Sequence, residues 1–179
     1  MKKLFLSLLT ISFVILINGC LVFNKVTYTI QPHAKKGGTA TVVFHDIKSD
    51  AIGNKEFDED KNILFDFMLE SDDFVTDMKQ EGKKIKSREL FVEENKLNAK
   101  VSFAFDEISV VEGMQYQDGY YFLTIPVKDS ILSTNGVVIP SKEHKRIIWD
   151  KSSKELKFEM LSDAATTGLR ELAPHYKKK

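Results

Sequence analysis

The sequence predicts an α+β fold: a mostly antiparallel sheet, curved or barrel-like, with one main helix packed on it. Three observations predict it. From Asp58 to Gly82 apolar positions recur with the 3.6-residue period of a helix. From Lys84 onward they alternate with the period of a strand, over many short segments. The connections among those segments are too short for serial βαβ crossovers, so neighbours are expected to pair antiparallel.

Leu21 to Ile30 reads as extended, with Val26, Tyr28 and Ile30 alternating against Thr27 and Thr29, and serves either as a first strand or as a tether. Gln31 to Gly38 breaks the run through Pro32 and Gly37-Gly38. Thr39 to Ile47 is the next strand, with Ala40, Val42 and Phe44 on one face and Thr41, Val43, His45 and Ile47 on the other. After the polar stretch Asp46 to Glu56, the helix places Leu64, Phe67, Met68, Val75 and Met78 on one stripe. Asp58 or Asp60 is the expected N-cap, and Gly82 the residue beyond the last turn. Ser71-Asp72-Asp73 competes for backbone hydrogen bonds and suits a new N-cap, so two shorter helices are the alternative.

Lys86 to Val92 and Leu97 to Phe105 flank the polar Glu93-Glu94-Asn95-Lys96 and predict a hairpin with one buried face. Asp118-Gly119 introduces a strand from Tyr120 to Val127, whose end Pro126 assigns to a sheet edge or a bulge. Asn135-Gly136 accepts the positive φ angles of a type I′ turn, which predicts a tight hairpin of Ile131 to Thr134 with Val137 to Ile139. Arg146 to Trp149 and Glu155 to Leu161 flank Asp150 to Lys154 as a second expected hairpin. Ser162 or Asp163 would cap a short helix to Leu172, weakened by Gly168 and ended by Pro174.

Ahead of this body stand Lys2 and Lys3, an apolar run of about fourteen residues from Leu4 to Ile17, and then Ile17-Asn18-Gly19-Cys20. About fourteen residues span roughly 21 Å as a helix, short of the ~30 Å hydrocarbon core, so a permanent transmembrane helix is not expected. An ordinary secretory signal would end in an Ala-x-Ala-like site. The segment resembles the signal of a bacterial prolipoprotein, with its lipobox at Ile17 to Cys20. The resemblance covers about the first twenty residues. It implies that a diacylglycerol joins the Cys20 sulfur, that residues 1–19 are removed, and that the freed amine is acylated.

On that basis residues 20–179 form one α+β domain anchored by lipid at Cys20; removal of 19 residues from 179 leaves 160, the size of one domain. The chain balances 26 Lys and Arg against 26 Asp and Glu, and loss of Lys2 and Lys3 leaves 24 against 26. A near-neutral body argues against a nucleic-acid partner. Cys20 is the only cysteine. With its sulfur on lipid there is neither a disulfide nor a thiolate for metal or catalysis, and the core alone must hold the fold.

Motifs for chemistry are sparse. His33, His45, His144 and His175 lie in four segments without a metal-ligand spacing, so no metal and no cofactor are expected. Asp58, Asp60 and Asn62 have the first spacings of a calcium loop, but Ile63 stands where the loop needs glycine and Leu69 where it needs glutamate. These acids read as a solvated helix start. There is no Gly-x-Ser-x-Gly elbow and no phosphate loop. Tyr120, Tyr121 and Phe122 divide between core and surface, with an outward Tyr120 as a candidate contact. Lys177-Lys178-Lys179 is a basic end able to touch anionic lipid.

The leading expectation is a non-catalytic envelope lipoprotein, anchored at Cys20 and presenting a surface to another envelope component. If the cell has two membranes, the resemblance implies the outer one, because Leu21 rather than Asp follows the cysteine. One alternative is a carrier of a lipid or other apolar ligand, lined by Phe103, Phe105, Tyr121 and Phe158. Another is a hydrolase-like enzyme with a carboxylate site. A filled core favours the first, a deep apolar cavity the second, and a cleft with converging polar groups the third.

Overall fold

The structure, a computed structural model, describes residues 21–33, 36–162 and 167–177. The expected signal segment, Cys20, Asp163 and Lys178-Lys179 lie outside the described residues. The strands are β1 (Leu21–Val22), β2 (Lys25–His33), β3 (Gly37–His45), β4 (Lys48–Ser49), β5 (Lys83–Glu93), β6 (Lys96–Phe105), β7 (Gln115–Gln117), β8 (Tyr120–Pro126), β9 (Ile131–Thr134), β10 (Val137–Pro140), β11 (His144–Asp150), β12 (Leu156–Leu161) and β13 (Arg170–Glu171). Between β4 and β5 run helix α1 (Asn54–Asn62), a π-helical segment (Ile63–Met68) and helix α2 (Asp72–Gln80). The predicted α+β class holds: every strand pairing described is antiparallel.

The strands form three open sheets rather than a closed barrel. Six strands lie in the order β5-β6-β3-β2-β12-β9, four in the order β10-β11-β8-β7, and three in the order β1-β4-β13. Alternation assigns the inner faces. Val26, Tyr28 and Ile30 of the larger sheet meet Leu123, Ile125 and Ile147 of the four-stranded sheet in one buried cluster. Beside it, Phe57 and Leu64 from the helices pack with Leu90, Leu97, Ile47 and Leu172 in a second cluster. Phe23 and Phe44 touch both, so the two cores are continuous.

Of the two helical alternatives, the structure has the broken one. Ser71 caps α2, accepting from the Asp73 N–H at 3.0 Å, and Gly82 follows it at φ +82°. Arg88 donates to the Met68 and Ser71 carbonyls at 3.1 and 2.8 Å and so bridges the end of the π-helical segment and the N-cap of α2. The expected caps at Asp58 and Asp60 are corrected: α1 begins at Asn54 with Gly53 as N-cap, and both acids lie inside it. The expected stripe changes phase as well. The wider π turns and the break bury Phe74 and Met78 in α2 and leave Val75 only half-buried.

The β5–β6 hairpin turns through Glu94 and Asn95, at φ +50° and +63°, and β7–β8 through Asp118 and Gly119, at +52° and +87°. Both are two-residue turns with left-handed residues. Pro126 sits where β8 has no neighbour on the side away from β11, the edge position it requires.

Two predicted hairpins are absent. β9 pairs with β12 in the larger sheet, whereas β10 pairs with β11 in the smaller one. Asn135-Gly136 is therefore a crossing between sheets, with neither residue at positive φ. The Asn135 side chain holds it: Oδ1 accepts from Trp149 Nε1 at 2.7 Å and from the Lys157 N–H at 2.8 Å, and Nδ2 donates to the Glu155 carbonyl at 3.0 Å. Gly136 is required by proximity, since a Cβ there would stand 2.7 Å from the Trp149 ring. Likewise β11 and β12 lie in different sheets, and Trp149 meets Phe158 across the core, ring centres 6.1 Å apart. The expected helix up to Leu172 is replaced, over its described part, by a turn with Gly168 at φ +76°, the short strand β13, and a 3₁₀ turn at Ala173–His175.

Candidate functional site

The outer face of the four-stranded sheet carries a group of apolar side chains left uncovered. Because paired residues share a face, Val137, Ile148, Phe122 and Gln115 form one row across all four strands. Ile139, Arg146 and Thr124 form the next row, and Tyr120 stands beyond Phe122. Val137, Ile139 and Tyr120 are 67, 50 and 50% exposed. The Arg146 guanidinium lies 4.8 Å from the centre of the Phe122 ring, and its Nε donates to Thr124 Oγ1 at 3.1 Å. The cation is thus held among apolar groups by a cation–π contact and one hydrogen bond. Tyr, Phe and Arg are residue types enriched where proteins meet. As the alternation predicted, Tyr120 points outward while Tyr121 is buried. Phe122, Arg146, Val137 and Ile139 complete the surface.

A second feature is an open trough of about 460 Å³ between the π-helical segment, β5 and the C-terminal residues. Phe65, Leu69, Leu90, Phe91 and Tyr176 supply apolar walls; Asp66, Glu70, Glu89, Arg88, His175 and Lys177 supply charge. The Tyr176 hydroxyl donates to the Leu90 carbonyl at 3.0 Å and staples the C-terminal segment to the edge strand. Its one hydroxyl, that of Tyr176, is engaged with the Leu90 carbonyl.

On the uncovered face of the larger sheet, Thr27 Oγ1 donates to Glu159 Oε2 at 2.9 Å and lies 2.9 Å from His45 Nε2, while Lys25 Nζ reaches Glu159 at 3.1 Å. Burial disfavours ionised Glu159, but the Thr27 hydrogen bond and Lys25 outweigh it and hold its pKa below the ordinary value. Burial and then Lys25 push the His45 pKa down. This network ties β2, β3 and β12 together.

The remaining candidates disperse. His33 ends β2, His144 opens β11, and His175 packs edge-on against Phe57 at 5.2 Å. Among the described residues no group of three or more His, Cys, Asp or Glu is placed to hold a metal ion. Phe103, Phe105, Tyr121 and Phe158 are all buried in the core. The hollow beneath the larger sheet beside α2 measures only about 50 Å³.

Asp60 corrects the expectation of a solvated helix start. It is fully buried, accepts from Ser49 Oγ at 2.5 Å through Oδ2, and has no partner at Oδ1. With the helix begun at Asn54, Phe57, Asp60 and Leu64 fall at i, i+3 and i+7 on the inward stripe; the signal was present but out of phase. Burial raises the Asp60 pKa above its ordinary value, against the Ser49 hydrogen bond. A folded pKa above the unfolded one disfavours the ionised state in the fold, so this group's contribution to stability improves as pH falls through the folded pKa toward the ordinary carboxyl value of 3.8. Asp60→Asn is therefore expected to raise stability by about 1 kcal/mol at pH 7, with the advantage vanishing near pH 4. Urea unfolding at both pH values checks this; a pH-independent difference contradicts it.

Comparison of the chain with known protein families, with curated proteins and with solved structures finds no match. Among the described residues no helix is long and apolar enough to cross a membrane.

Proposed function

We propose that the protein is a non-catalytic envelope lipoprotein, tethered by lipid at Cys20, that presents the outer face of its four-stranded sheet to another envelope protein. The observation that carries the presenting role is the Phe122–Arg146 pair framed by Tyr120, Val137, Ile139 and Ile148 on an uncovered sheet face. Supporting it is an interior filled with side chains. The anchor rests on the resemblance of Ile17 to Cys20 to a lipobox. In a cell with two membranes the outer one is the expected site.

The test is to feed cells labelled palmitate and compare wild type with Cys20→Ala. Two or three acyl chains, at about 0.8 kcal/mol per buried CH₂, make release from a bilayer very slow. Wild type should take up label and partition with membranes. Cys20→Ala should lose the label and keep its leader or be cut elsewhere, while the body still folds. A wild-type protein without label, with a free N-terminus at another residue, refutes the anchor. In the same cells a photo-reactive side chain at Tyr120 should cross-link an envelope protein that the same group at Gln31 does not; equal products at both positions refute the presented face.

A carrier reading has one observation in its favour: the trough between Phe65, Leu69, Leu90, Phe91 and Tyr176, large enough for part of an acyl chain. It would place an apolar ligand outside the sheets rather than between them.

A further inference from the structure

We propose that the end of the three-stranded sheet is a membrane-contact surface at which Ile52 enters the boundary between lipid headgroups and acyl chains. This rests on the lipid anchor proposed above for Cys20. Leu21, covalently joined to Cys20, is already paired with Ser49, so no linker separates the acylated residue from the folded body. A lipid on that residue therefore sets the level of the bilayer at this strand end. Ser49 is paired on its other side with Arg170, which fixes the end in a three-stranded unit.

Ile52 lies three residues beyond Ser49, at most about 11 Å of extended chain, and its side chain is fully exposed at 102%. Its neighbours are pinned. The Ala51 N–H donates to Ser49 Oγ at 3.1 Å, and the Gly53 carbonyl accepts from Arg170 at 2.9 Å. A rigid bend thus holds out an isoleucine with no intramolecular contact to make, beside the residue that carries the lipid. A lone exposed isoleucine elsewhere on a surface would call for no explanation; within reach of a lipid attachment it has an apolar solvent available. Lys55 and Arg170 are offset around this bend by Asp50 and Glu56. Attraction to anionic lipid is therefore not what seats it, and the contact should form equally on neutral and anionic vesicles.

The test uses the full chain expressed in bacteria, with acylation verified by mass spectrometry on the same sample. Cys20 has its sulfur in a thioether, so Ile52→Cys introduces the one free thiol, which takes an environment-sensitive fluorophore. Lys36→Cys is the control: it follows β2, whose nine residues carry the chain about 30 Å from Lys25. Both are reconstituted into phosphatidylethanolamine vesicles, with and without phosphatidylglycerol. The proposal expects the probe at position 52 to shift to the blue and to be quenched by lipids spin-labelled near the headgroup, with position 36 unaffected and both lipid mixtures equivalent. An acylated protein whose two probes report the same aqueous environment overturns the contact and leaves the anchor standing. A blue shift without lipid quenching assigns the surface to a second copy of the chain and overturns it too. Absence of acylation overturns the anchor and this proposal together.

Discussion

Leu64→Asp is expected to lower the free energy of unfolding by about 3–5 kcal/mol or to prevent folding. Leu64 lies at the start of the π-helical segment and is buried with Phe57, Leu90, Leu97 and Leu172, where helices and sheet meet. An aspartate there would lose the leucine's apolar contacts and place a second carboxylate in a core that already buries Asp60. Asp66→Ala, two residues on and exposed, should change stability by less than about 0.5 kcal/mol. Urea midpoints of the two variants decide the matter. Equal midpoints would mean that the helical segment does not pack on the sheet in the way described.

Asn135→Ala is expected to cost about 3 kcal/mol, a large loss for one residue on a connection. Three hydrogen bonds go with it: those from Trp149 Nε1 and the Lys157 N–H, and that to the Glu155 carbonyl. Trp149 is buried, so its indole N–H would be left without an acceptor, a penalty of about 1–3 kcal/mol by itself. The other two bonds fix β12 against the segment that leaves the larger sheet. Asn95, in a true two-residue turn at φ +63°, gives the contrast: Asn95→Gly keeps the left-handed backbone and should be nearly neutral. Thermal unfolding of both variants, read by Trp149 fluorescence, checks the difference. A neutral Asn135→Ala would mean that the sheet crossing is held by the strands alone.

Much of this fold was legible one residue at a time. Alternation placed Tyr121, Leu123 and Ile125 on one face and Tyr120 outward, so one residue of the candidate surface was marked before any pairing was known; Val127, assigned to the same face as Tyr121, is exposed. Val137, Ile139 and Arg146 were not marked, since a surface made from rows across strands exists only once strands have neighbours. Asp60 was misplaced by a helix start set four residues late, which moved it from the inward stripe to the cap.

The sequence by itself determined the class, the polar turns around Glu94-Asn95 and Asp118-Gly119, and which face of most long strands is buried; the break at Ser71 it offered only as the alternative to one continuous helix. These are local: a turn is set by φ at two residues, and a face by a period of two. Only the tertiary structure decided that Asn135-Gly136 crosses between sheets and that β11 and β12 face each other across the core. It also decided that Leu21–Val22, Lys48–Ser49 and Arg170–Glu171, each too short to show a period, join into a sheet. Hydrophobic alternation records that a strand has an apolar side; which strand lies beside it is settled by hydrogen bonds and close contacts, such as those of Asn135 and Gly136, between residues far apart in the chain.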